Sequence, residues 1–344
     1  MNSQRLFPAE WYPQGGVQLT WPHAQTDWQG SLEQVISCYQ QIAYESSLRQ
    51  KLLIVCASTE ATKQYLTHCD AANITYHEIP TNDTWARDHS GLTVLDEERP
   101  LLLDFQFNGW GLKFPANLDN QITRQLYKQR AFALTVEYQS IKNFVLEGGS
   151  VESDGEGTLL TTEGCLLSRN RNDHLSKEQI DEFLEEILGV SRILWLQNGY
   201  LAGDDTDSHI DTLARFCDSQ TIAYVQCADS CDEHYEALTK MESELQQFRT
   251  QSNEAYRLLP LPMADAMYND QGNRLPATYA NFLIMNEVVL LPFYSLPQDE
   301  TAREVLQQAF PSREIIGIPC EALIQQHGSL HCATMQYPEN VLKC

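Results

Sequence analysis

The stretch SLHCATMQ, residues 329–336, is an extended-looking run left over after five similar units have been counted along the chain, as if it returned to close a ring. Working back from it, each unit has extended runs leading into a helical stretch and then one more extended run. The fifth is NFLIMN, VVLLPFY, helical TAREVLQQAF and EIIGIP. The fourth runs from HIDTLARFC through TIAYVQC and helical DEHYEALTKMESELQQF to RLLPLP, and the third from NFVLEGGSVES through GTLLTT and helical SKEQIDEFLEEILG to RILWLQ. The second takes ITYHEIP, GLTVL and LLLDFQF before helical DNQITRQLYKQ and strand-like ALTVEY; the first is VQLTWP, helical SLEQVISCYQQIAYESSLRQ and KLLIVCAS. The charge-free core of KLLIVCAS predicts a strand buried on both faces. A period of roughly 65 to 70 residues exceeds that of the usual solenoids and fits blades around a centre. The competing arrangement, a doubly wound sheet, lacks a GxGxxG or GxxxxGK[ST] after the early strands. The expectation is one α/β domain, residues 1–344, of five ββαβ-like repeats.

The 344 residues are 42% hydrophobic, enough for a substantial core, and carry a net charge of −24 that repels nucleic acid and anionic membrane surfaces while attracting small cations. Most of this acidity serves solubility. The N-terminus lacks an apolar leader and no apolar run is long enough to span a bilayer, so a cytoplasmic protein is expected. Ten cysteines are scattered without a CxxC pair, as expected of reduced thiols.

Four stretches stand out chemically, each where an extended run meets a turn. TNDTWARDHS (81–90) places Asp83, Trp85, Arg87 and Asp88 in one short connection, where acids beside an indole suit an organic cation; the plainer alternatives are turn caps and a structural ion pair for Arg87. GDDTDSHID invites a metal reading, but counting from Asp205 as a calcium loop the sixth position is Ile210 rather than Gly and the twelfth is Phe216 rather than Glu. HxxxH and HExxH are absent too, so no metal is expected. A strand starting near Ser208 would point His209 and Asp211 to one face, whereas a helix start would make the acids caps. Glu147 precedes Gly148 and Gly149, which permit a close backbone approach or simply a hairpin turn. Cys332 lies in a run too polar for an ordinary core strand; its neighbour His331 would face the opposite way on a strand, which leaves His209 as the better partner.

Together these motifs resemble a family. NDTWARD, FNGWGLKFPANLDNQ, LEGGSVESDGEGTLLTTEGCLLSRNRN, GDDTDSHIDTLARF and HGSLHCATMQ, with the opening PAEWYPQGGVQLTWPHAQTDW, are similar to the agmatine deiminases and the related bacterial, Porphyromonas-type peptidylarginine deiminases, in order over nearly the whole chain. The resemblance implies a five-bladed pseudosymmetric α/β propeller of the guanidine-modifying superfamily (pentein fold), without metal or organic cofactor, acting on a small cationic guanidine and forming a homodimer. By motif position it implies Cys332 as nucleophile, His209 as general acid/base with Glu147 as its polar partner, Asp88 and Asp211 as guanidinium ligands, and Trp85 flanking the substrate. The chain departs from many relatives in having HGSLHC, with His327 and Ser329, where a Gly-rich approach is usual, and HSGL where Gly-Pro often follows RD. The first departure bears on the substrate's tail. An acidic pocket repels free arginine's carboxylate and favours agmatine's ammonium; arginine residues of peptides are the alternative substrate, and a non-catalytic arginine-type binding module is the reading from a different class. Two carboxylates near a thiol raise its pKa, so thiolate is expected chiefly beside the bound cation or a protonated His209.

Overall fold

A computed structural model describes residues 5–343, so Cys344 lies outside the described residues. Among the described residues, seventeen strands form five separate sheets rather than one wound sheet. In chain order they are β1 (Arg5–Leu6), β2 (Gln14–Thr20), β3 (Lys51–Cys56), β4 (Ile74–Glu78), β5 (Leu92–Asp96), β6 (Arg99–Gln106), β7 (Glu137–Val145), β8 (Val151–Ser153), β9 (Thr158–Thr162) and β10 (Arg192–Leu196). There follow β11 (Ala214–Asp218), β12 (Thr221–Gln226), β13 (Arg257–Pro262), β14 (Leu283–Ile284), β15 (Val288–Phe293), β16 (Glu314–Pro319) and β17 (Thr334–Pro338).

One rule builds all five sheets: two antiparallel strands, then a helix-containing crossover to a parallel strand. The sets β5-β6-β7, β8-β9-β10, β11-β12-β13 and β14-β15-β16 follow it along the chain. The remaining sheet borrows its antiparallel strand from the far end of the sequence: β17 pairs with β2, Thr334 opposite Leu19, and β2 pairs in parallel with β3. The leftover run therefore closes the ring, and five α/β blades result. β3 is buried from Leu52 to Cys56, as its uncharged sequence requires.

Local chemistry sets the crossovers. The helix Lys177–Leu188 starts on a capping box between Ser176 and Gln179 and stops at Gly189, whose φ of 74° is left-handed. Helix Leu32–Ser47 turns its buried face, with Val35, Ile36, Tyr39 and Ile42, onto β3 and also touches β16, so neighbouring blades share its apolar surface. No helix of the described residues is long and apolar enough to cross a membrane.

Two sequence assignments need correction. ITYHEIP does not open the second unit: as β4 it pairs in parallel with β3, making the first blade four-stranded. ALTVEY and the start of NFVLEGG are not separate strands, because β7 begins at Glu137 and runs unbroken to Val145. Alternation of apolar residues identified strands here but could not say which edge each one joins.

Candidate active site

The connection 81–90 supplies a short helix, Ala86–His89, that buries Arg87 and Asp88. Asp88 is held on both oxygens: Trp110 Nε1 donates to Oδ2 at 2.9 Å, and the Gly149 amide donates to Oδ1 at 3.0 Å. Trp110 reaches it because Gly109, Trp110, Gly111 and Leu112 all take left-handed φ values, of 71°, 55°, 80° and 67°. At Gly109 no larger residue fits, since a Cβ would lie 2.2 Å from the Phe114 carbonyl oxygen.

His209 and Asp211 do not stand on a strand. Asp207 and Ser208 are both left-handed, turning the chain into a single 3-10 turn, Ile210–Thr212, with β11 starting only at Ala214. The helix-start alternative is closer to what forms, yet both side chains still turn inward and are buried. Their meeting point is Gly149, where a Cβ would lie 2.7 Å from His209 Nδ1, 2.9 Å from Asp88 Oδ1 and 3.0 Å from Asp211 Oδ2. Only a residue without a side chain allows the three to converge.

Cys332 sits in a turn just before β17, only 5% exposed, with Sγ 3.9 Å from Asp211 Oδ2 and 3.4 Å from Asn281 Oδ1. That Asn281 oxygen also accepts from the backbone N–H of His331, at 2.9 Å, and of Cys332, at 3.3 Å, and so fixes the turn. The Arg87 amide donates to the Cys332 carbonyl at 3.0 Å, tying the first motif to the last. Because residues 331–333 form a turn, strand alternation does not apply: the His331 ring meets the same Asp211 Oδ2, at 2.8 Å.

Glu147 is fully buried, and its two oxygens accept from Arg171 Nε at 3.1 and 2.9 Å. One of its oxygens lies within 4.8 Å of the His209 ring and of the Cys165 sulfur, so it acts on His209 through space, without a hydrogen bond. The same trio has metal-like spacing, but the guanidinium on Glu147 puts positive charge where a cation would bind.

Above these groups is a pocket of about 390 Å³ lined by Trp85, Trp110 and Phe114, by His327, Gly328 and Cys332, and by Asp27, Asp83, Asp88 and Asp205. Acids run from exposed Asp27 through half-buried Asp83 and Asp205 to buried Asp88. Gly328 lies flat on the Trp85 ring, 2.4 Å from where its Cβ would be, so Trp85 forms one wall. Burial raises both Asp83 and Asp205 to about 6, with Asp27 and Asp204 respectively adding repulsion.

The base of the pocket is electrostatically unfinished. Burial first, then Asp211 and Asp88, push the Cys332 thiol well above its ordinary range. Burial also raises Asp88, against the pull of His209, whereas in Asp211 the effect of burial is outweighed by His331 and the carboxyl is lowered. Burial disfavours charge on His209, but Asp88, Cys165 and Glu147 prevail and raise it well above normal. Asp211 Oδ1 and both His209 nitrogens are buried with no hydrogen-bond partner among the described residues. Buried polar atoms of that kind call for a ligand.

The structure thus brings Cys332, Asp88 and Trp85 to the wall of one pocket, with His209 and Asp211 buried beneath it around Gly149 and Glu147 behind His209. Sequence reasoning missed Asn281, Trp110, the role of Gly149, and Arg171 behind Glu147. Gly149 had a signal in the Gly-Gly pair, and Trp110 and Arg171 fall inside the motifs FNGWGLKFPANLDNQ and LEGGSVESDGEGTLLTTEGCLLSRNRN without a role of their own; Asn281 opens an apolar run and resembles a strand flank.

Residues 6–338 match the family described as Porphyromonas-type peptidyl-arginine deiminase. A solved Porphyromonas gingivalis protein, described as a putative arginine deiminase, is 51% identical with a TM-score of 0.94, covering 98% of this chain and 100% of its own. A cysteine-to-serine variant of C. jejuni agmatine deiminase, solved with substrate bound, is 39% identical with a TM-score of 0.91, covering 98% and 97%. The agmatine deiminase of Pseudomonas syringae pv. tomato is 33% identical over 96% of this chain and 95% of its own. With a match from the second strand-forming residue of β1 to the end of β17, the chain belongs to the Porphyromonas-type peptidyl-arginine deiminase family.

Proposed function

We propose that the protein is an agmatine deiminase, a single catalytic unit that hydrolyses agmatine to N-carbamoylputrescine and ammonia through a covalent intermediate on Cys332. The observation that carries this is the convergence around Gly149 of Asp88, Asp211 and His209, with the Cys332 sulfur 3.9 Å from Asp211. A guanidinium is planar, always charged and rich in N–H donors, so two carboxylates grip it from different edges. Asp211 Oδ1 supplies a free acceptor for it. The outer acids Asp27, Asp83 and Asp205 favour a tail ending in ammonium over one bearing a carboxylate.

In this scheme the cation neutralises the two carboxylates that oppose ionisation of Cys332, so thiolate forms as substrate binds. Sulfur adds to the guanidinium carbon, giving a neutral tetrahedral adduct. Protonated His209 donates to one –NH₂, and the C–N bond breaks with release of ammonia. An S-alkylthiouronium remains on Cys332. Neutral His209 takes a proton from water as its oxygen adds to the same carbon; the C–S bond then breaks, returning Cys332 and leaving the ureido product. Glu147, held by Arg171, favours the charged form of His209 from behind. Holding carbon and sulfur in line contributes several kcal/mol of the acceleration, as orientation does generally, up to about 7–11.

The test is ammonia release from agmatine, free arginine and an arginyl peptide in parallel. Agmatine is expected to be turned over with the highest kcat/KM. Preference for the peptide would assign the chain the reaction in its family's name, and inactivity on all three would defeat the enzymatic reading.

A further inference from the structure

The His331 ring is placed as no spectator would be. Nδ1 lies 2.8 Å from Asp211 Oδ2 and Nε2 lies 2.7 Å from Glu10 Oε2, with both carboxylates buried. Ionised carboxylates only accept, so a ring hydrogen-bonded to one at each end donates from both nitrogens and is an imidazolium. The charges around it agree. Glu10 Oε2 is 3.0 Å from Arg215 Nη2 and 3.5 Å from Arg87 Nη2, and Arg215 Nε is 2.8 Å from Glu152 Oε1. Glu10, Glu152 and Asp211 make three buried negative charges; Arg87 and Arg215 make two positive ones. A cationic His331 completes the balance that buried charges require.

We propose that His331 is a positioning residue: a buried imidazolium anchored on Glu10 that keeps Asp211 ionised and aimed at the substrate's guanidinium. Its own backbone is pinned by Asn281 Oδ1, so the ring has little freedom. Asp211 also faces His209 and Asp88 across Gly149 and Arg215 from the adjacent strand; its carboxylate takes a short hydrogen bond from His331, at 2.8 Å, and a long one from the Cys332 thiol, at 3.9 Å. Arg87, from the same segment as Asp88, pairs with Glu10 and acts on Asp211 through space, without a hydrogen bond to it. The lowered pKa of Asp211, against the opposing effect of burial, is consistent with this pairing. The clamp therefore has two unlike jaws: Asp88 takes its hydrogen bonds from neutral donors, with the His209 ring 3.5 Å away, whereas Asp211 takes one from a charged donor.

This inference rests on the guanidine-deiminating reading, and its test has one arm that does not. In His331→Gln, the acidic limb of kcat/KM for agmatine is expected to move up by about one pH unit and a guanidinium inhibitor to bind about tenfold more weakly. A limb that stays in place, with or without a fall in kcat, would overturn the proposal. The second arm needs neither turnover nor that variant. Histidine-ring ¹⁵N NMR of the His209→Asn protein at pH 8 is expected to show one imidazole with both nitrogens protonated. If none is present the imidazolium does not exist and the proposal fails, whatever the substrate proves to be.

Discussion

Two buried clusters of charge lie back to back across His331, and they differ in completeness. On one side Glu10, Glu152, Arg87 and Arg215 balance one another in charge at 2.8 to 3.5 Å, although Nη2 of Arg87 and of Arg215 makes no hydrogen bond among the described residues. On the other, Asp88 is held by an indole and an amide, Asp211 keeps one oxygen without a partner, and no lysine or arginine pairs with either among the described residues. Burying a charge is costly unless it is paired. The closed cluster is thus architecture, and the open one is stability withheld so that an incoming cation can complete it.

The sharpest way to break this contrast is at the sulfur. Cys332→Ala should lower ammonia release from agmatine by on the order of 10⁴-fold or more while leaving the melting temperature nearly unchanged. Residual activity near wild type would exclude the covalent route. One step weaker, Asp88→Asn and Asp211→Asn should each lower kcat/KM by about 10²- to 10³-fold, the loss expected when one partner of a desolvated charge pair is removed. Asp88→Asn should unfold no more easily than the parent, because its raised pKa means that ionisation of this group destabilises the folded protein as pH rises above the ordinary carboxylate range. Arg215→Met is the counterpart in the closed cluster: it should cost about 3–5 kcal/mol of stability, measured by denaturant unfolding, because Glu152 would lose its cationic partner and Glu10 would keep only Arg87 and His331. Equal behaviour of the two clusters would refute the distinction.

Gly149→Ala probes the geometry with a single methyl. The Cβ would intrude within 3.0 Å of three functional atoms, so a loss of about 10- to 10²-fold in kcat/KM is expected with a full-length, folded product. The smallest effect concerns the pocket's outer half. Asp83 and Asp205, both near 6, are neutral below that pH and charged above it, so KM for agmatine should fall a few-fold, about two- to fivefold, as pH rises from 5 to 7. An uncharged-tail guanidine such as butylguanidine should show no such fall beyond that set by the inner clamp.

The fold was largely legible because its repeat leaves a repeated pattern: extended pairs, a helix, another extended run. The leftover SLHCATMQ foretold closure onto β2. What failed was edge assignment, since nothing in the alternation of ITYHEIP says that it joins β3 rather than β5. At the site, the residues that bear chemistry were visible because acids, histidine and cysteine are conspicuous beside glycines. Their supports were not. Asn281 acts through an amide oxygen that any turn asparagine carries, and Trp110 depends on four consecutive left-handed residues that propensity does not predict. The strand assumed for His209 and Asp211 proved unnecessary, because a left-handed pair and a tight turn aim both side chains inward.

The pairing of β17 with β2 also has a temporal meaning. The proposed nucleophile, Cys332, lies two residues ahead of the strand that locks the ring, and that strand's partner is more than 300 positions upstream. The other four blades draw on strands up to Pro319, so they can form before β17 pairs, and the Cys332 turn takes its place in the same event that seals the first blade.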